Sequence, residues 1–192
     1  SANANMIRSK IQNKEKVLTM LVDSMPSLPV KNCMFKNKGD LAFEMVSDQW
    51  GLGQETFSNG SAYGDLDNDG DLDLVVNNVN MPSYIYKNNL DTSQHRSIGL
   101  ILKGKNKNSH AVGAKVIIKY KSGQSFIENY TSKGFESSID PKIHIGIGNV
   151  EKIDTVLITW PDGSHQFEYN LKTNKTYTIQ QNSVHHASPL IF

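Results

Sequence analysis

One cysteine in 192 residues, Cys33, is the whole thiol inventory of this chain. It excludes an internal disulfide and leaves nothing from which to build a cysteine metal site. The reading for Cys33 itself is a small apolar residue in a strand. Net charge is equally scarce. Twenty basic and 19 acidic side chains leave +1, so no general field draws nucleic acid or an anionic membrane. No apolar run approaches the roughly 20 residues with which a helix crosses a bilayer. The linear signatures of common catalysts are missing too: there is no Gly-x-Ser-x-Gly elbow, no His-Glu-x-x-His pair and no phosphate loop. Gly146-Ile147-Gly148 opens no helix and reads as a bulge or a close backbone approach. His185-His186 lie in a polar tail rather than at ligand spacing. These absences predict a protein that is not an enzyme, with neither nucleic acid nor membrane insertion among its partners.

What is present is a dense acidic segment, Asp65-Leu66-Asp67-Asn68-Asp69-Gly70-Asp71-Leu72-Asp73. Carboxylates at alternating positions repel one another unless a cation sits among them. With a glycine for the sharp turn, they form an oxygen cage suited to a hard divalent ion, calcium above all. The spacing predicts side-chain ligation by Asp65, Asp67, Asp69 and Asp73, with Asp71 offering its backbone carbonyl. An EF-hand would need a bidentate Glu at the twelfth position, and that position is Val76. The residues that follow, Leu72-Asp73-Leu74-Val75-Val76-Asn77, read as a strand, and Gly60–Gly64 before the loop are small and extended. The ion is therefore expected in a turn between two strands. Loops of this kind fill at about 0.1–1 mM calcium, which favours an exported protein.

The chain separates into regions. Residues 6–25 place Ile7, Ile11, Leu18, Leu21, Val22 and Met25 near a helical period, and Pro26 stops the pattern. The expected boundaries are a helical segment over 1–27, a calcium-binding blade over 28–92, a β-sandwich or barrel over 93–182 and a tail over 183–192. Strands are predicted at 32–36, 43–46, 61–65, 72–77 and 84–87, then near 97–103, 112–120, 124–131, 142–147, 153–160, 164–169 and 175–180. Lys121-Ser122-Gly123-Gln124 reads as a hairpin turn, and Trp160-Pro161-Asp162-Gly163-Ser164 as a second turn. The fold class expected is all-β with one short N-terminal helix.

Residues Phe35–Asn37, Phe43–Ser47, Trp50–Leu52, Tyr63–Asn78 and Tyr86–Asn89 together resemble one FG-GAP/VCBS repeat. The resemblance implies a four-stranded propeller blade of the integrin-α kind, with calcium in the inter-strand loop. Gly113–Val116, His144–Gly148 and Trp160–Gly163 are similar to the ASPIC/UnbV domain, which commonly follows such repeats in secreted and cell-envelope proteins. A propeller needs about four blades to hide its edges. One blade therefore implies a piece of a longer protein, packed against neighbouring repeats. The apolar ending Ser188–Phe192 fits that expectation. Ser1–Asn5 carry no hydrophobic leader segment, which leaves room for a signal sequence removed or lying upstream.

These readings predict a calcium-binding, non-catalytic module of an extracellular or bacterial cell-envelope protein, serving adhesion or recognition of a protein or glycan. One alternative is a structural connector between propeller assemblies. The other is a carbohydrate-active enzyme domain with Trp50, Trp160 or an exposed Tyr lining a sugar cleft.

Overall fold

In the computed structural model, residues 11–21, 28–121 and 123–182 are described. Contacts divide the chain between Phe57 and Ser58 into two compact units.

In the first unit residues 11–21 are helical (α1); the rest of the helix expected over 6–25 lies outside the described residues. Ile11, Leu18 and Leu21 remain more than half exposed. Four short strands follow: β1 (Val30–Lys31), β2 (Phe35–Gly39), β3 (Ala42–Met45) and β4 (Glu55–Thr56). β1 pairs with β4 and β2 with β3, both antiparallel. The β2–β3 turn runs through Gly39, Asp40 and Leu41, all at positive φ. Cys33 departs from expectation: it is exposed in the link between β1 and β2 rather than in a strand. The next N–H, that of Met34, donates to Ser47 Oγ (2.7 Å), so a side chain takes the place of a ladder partner there.

The second unit begins with an antiparallel meander of β5 (Ser58–Gly64), β6 (Asp73–Asn78) and β7 (Tyr84–Tyr86). The acidic segment is the β5–β6 turn, as its flanking residues predict. The meander has three strands, whereas the blade resemblance implies four. β2 and β3 pair with each other in the first unit instead, where Gly39 and its neighbours turn the chain straight back. By contact the acidic hairpin falls in the same unit as the residues beyond 92.

The remaining strands are β8 (Arg96–Lys103), β9 (Lys115–Tyr120), β10 (Gly123–Glu128), β11 (Ile143–Gly148), β12 (Lys152–Thr159), β13 (His165–Lys172) and β14 (Lys175–Gln180). They form a four-stranded sheet, β10-β9-β12-β13, and a three-stranded sheet, β11-β8-β14, in which β14 runs parallel to β8. Alternation decides which side chains meet. Ile98, Leu100 and Leu102 of β8, Val116 and Ile118 of β9, Ile143, Ile145 and Ile147 of β11, and Val156 and Ile158 of β12 share one core with Trp160 and Ile179. Among the described residues the protein is all-β with one short helix. Its C-terminal strands make two open sheets around a common core, and the described residues form no closed barrel.

One predicted turn and one predicted bulge hold in detail. Gly163 (φ 82°) donates to Trp160 O (2.9 Å), and Ser164 O accepts from Trp160 N (2.8 Å). Gly146 and Gly148 flank a register shift against β8, which is a bulge. Among the described residues no helix is long and apolar enough to cross a membrane, which leaves β-barrel insertion unaddressed.

Candidate metal centre

Strand β5 ends at Gly64 and β6 begins at Asp73, so the eight residues between them must reverse the chain. Asn68 (φ 61°) and Gly70 (φ 96°) take the left-handed backbone that this reversal requires. The loop folds its own N–H groups onto its carboxylates. Asp69 N donates to Asp67 Oδ1 (3.3 Å), Asp71 N to Asp69 Oδ1 (3.2 Å) and Gly70 N to Asp65 Oδ1 (3.4 Å). These bonds curl Asp65, Asp67 and Asp69 inward, and one oxygen from each lies within 4.8 Å of the other two.

The five predicted ligands therefore divide into two sets. Asp65, Asp67 and Asp69 converge. Asp71 and Asp73 are buried and turn to other partners. Asp71 Oδ2 accepts from Leu90 N (2.9 Å), while its Oδ1 is buried with no hydrogen-bond partner among the described residues. Asp73 accepts from Leu66 N (3.1 Å) at Oδ2 and from Asn88 N (2.9 Å) at Oδ1. Asp73 thus ties the start of the loop to the chain beyond β7.

Two lysines to which the sequence reading gave no role at the loop supply positive charge. Lys87 hydrogen-bonds Asp67 Oδ2 and lies 3.4 Å from Asp69 Oδ2. Lys142 reaches Asp65 Oδ2 at 3.4 Å, with both side chains largely buried. The hydrogen bond and charge of Lys87 lower the Asp67 carboxyl, and the Asp67 bond raises Lys87. Burial pushes Asp71 up, against the Leu90 N–H, with the Asp69 and Asp73 charges adding to the rise. No local pattern marks these partners, because Lys142 meets Asp65 only through the fold.

The turn also touches β8 and β11 through one carbonyl. Gly70 O accepts from Ser97 Oγ (2.9 Å) and lies 3.0 Å from His144 Nε2. A residue with a Cβ at 70 would have to adopt the same positive φ at a cost in strain.

A hard cation fits this donor set. Three carboxylate oxygens converge on a tight turn, and all are of the chemistry that calcium takes. Calcium would supply charge neutralisation and cross-linking of the turn. The side chains at hand for it are those of Asp65, Asp67 and Asp69. Of the aromatic residues considered for a sugar cleft, Trp160 is in the core at 2% exposure, whereas Trp50 is half exposed in the first unit.

No curated protein matches the chain. Residues 104–186, which include β9 to β14, match the family described as ASPIC and UnbV.

Proposed function

We propose that this chain is a calcium-binding, non-catalytic recognition module of a larger secreted or cell-surface protein, directed at a glycan or protein ligand. The observation that carries the reading is the approach of Asp65, Asp67 and Asp69 oxygens to within 4.8 Å on a turn set by Asn68 and Gly70. Bound calcium would hold β5 to β6, and through Gly70 O would steady the turn against Ser97 and His144. The resemblance of residues 35–89 to an FG-GAP/VCBS repeat, preceding an ASPIC/UnbV match, supports an exported setting and packing against further repeats. Isothermal titration of the full chain with calcium tests the proposal. Binding that survives in Asp67→Ala/Asp69→Ala overturns the assignment.

A second reading has its own support. Lys87 and Lys142 already offset the loop's charge, as they would in a metal-independent structural connector. Melting temperatures with calcium and with chelator separate the two. Calcium that binds only the folded chain raises the melting temperature, whereas the connector melts identically in both.

A further inference from the structure

The outer surface of the four-stranded sheet carries an apolar row that the core does not use. Val116 and Ile118 point into the core, so Ile117 between them lies on the outer side, partly exposed. Val156 and Ile158 place Leu157 on that side in the same way, though only 6% of it is exposed, so the open ends of the row are its aromatic residues. Register aligns these residues across all four strands: Phe126 opposes Ile117, Ile117 opposes Leu157, and Leu157 opposes Phe167. Phe126 is 62% exposed. At the far edge Tyr169, 59% exposed, stands beside Phe167 with ring centroids 6.1 Å apart and planes 6° from parallel.

Charge flanks this row on both sides: Lys115 and Glu128 face each other across β9 and β10 on one, where the pair offsets itself, and Lys119 stands on the other. Lys119 is exposed and faces Gln124 on β10 and Thr155 on β12, so neither cross-strand neighbour is a carboxylate. Four strands at about 4.8 Å spacing make the row roughly 14 Å long and one side chain wide. A stable dimer buries about 800 Å² on each partner, far more than such a stripe offers. A two-fold contact through the row would also bring the Lys119 side chains of both copies to one interface. The stripe suits a narrow chain lying across the strands. Sugar rings have that form: their C–H faces pack on the electron-rich faces of aromatic rings, and an acidic group on the chain pairs with Lys119.

From this geometry we infer that the outer face of β10-β9-β12-β13 binds an anionic glycan, with Phe126 and Tyr169 as ring contacts and Lys119 as the acid contact. The inference rests on the recognition reading above but not on calcium. The acid is a uronate carboxylate or a sulfate ester, and both present the same charge to Lys119.

Titration of the full chain with oligogalacturonate, sulfated dextran oligosaccharide and neutral cello-oligosaccharide tests it. Binding of one or both anionic sugars is expected, and the stronger of them identifies the acid. Phe126→Ala/Tyr169→Ala should weaken that binding at least tenfold, while Tyr169→Phe keeps the ring and the affinity. Lys119→Gln should weaken it and flatten its salt dependence. Both truncated rings are more than half exposed, so the fold should survive, and circular dichroism checks this. Equal binding of the neutral sugar, or unchanged binding by the double variant, overturns the site while leaving glycan recognition standing. No binding of any sugar overturns it too, and the calcium titration remains a separate test of the metal. Sedimentation that shows a dimer dissociated by Phe126→Ala would make the face a contact between copies, and would also sink the proposal.

Discussion

Lys87 Nζ hydrogen-bonds Asp67 Oδ2 and sits 3.4 Å from Asp69 Oδ2, placing an ammonium between two carboxylates of the acidic turn. A cation entering the turn competes with it. Lys87→Ala should therefore tighten calcium binding, by up to about fivefold on the scale of exposed ion pairs. In chelator the same variant should melt below the wild type, because the carboxylates lose their counter-charge. Calorimetric titration and thermal melts read the two effects, and weaker calcium binding in the variant would contradict the competition.

Asp73 acts differently from its neighbours, accepting the N–H groups of Leu66 and Asn88 from a buried position. Asp73→Ala leaves both donors without a partner, at about 1–3 kcal/mol for each that stays buried. Denaturant unfolding in chelator isolates that loss from any effect of the ion. A variant as stable as the wild type without metal would show that water replaces the carboxylate.

The pH response should come from groups moved in opposite directions. Ser164, through its hydroxyl and its N–H, holds the Asp162 carboxyl below its ordinary 3.8. Its contribution is complete above the unfolded value and disappears as pH falls through the lower folded value. Asp162→Asn should flatten that acid loss. Asp71 is raised by burial, so its ionisation costs stability as pH climbs from 3.8 through the raised value. Asp71→Asn should accordingly gain on the wild type between acid and neutral pH. Melts from pH 2 to 7 check both slopes.

Trp160 fills the core, yet its Nε1 has no hydrogen-bond partner among the described residues. Trp160→Ala should cost about 3–5 kcal/mol through the cavity left behind. Trp160→Phe keeps much of the ring and removes the unpaired N–H, so its cost should be well below half of that. Denaturant midpoints compare the two, and equal losses would point to a hydrogen bond from Nε1 to solvent.

Local chemistry made much of this readable in advance. The acidic turn, the Trp160–Ser164 turn and the Gly146–Gly148 bulge each depend on residues within a few positions of one another. Asp65, Asp67 and Asp69 were legible as a group because a loop this short has few ways to place alternating carboxylates. Lys142 was not legible, since it reaches Asp65 across 77 positions. The same holds for Ser97 and His144 at Gly70 O. Asp73 looked like its neighbours, but its buried carboxylate takes the N–H groups of Leu66 and, 15 positions away, Asn88. The Asp71 carboxylate, for which only the backbone carbonyl had been given a role, takes that of Leu90. The pairing of β2 with β3 was not legible for a related reason: alternation marks a strand without naming its partner.

The parallel pairing of β14 with β8 has a consequence for how the molecule is made. Lys175 lies opposite Ile98, so the pairing of β8, the middle strand of the β11-β8-β14 sheet, is complete only once β14 has emerged from the ribosome. Until then β8 offers an open, apolar edge to anything nearby. Contacts this distant in sequence slow folding, and a nascent chain halted before residue 175 leaves that edge of β8 unpaired.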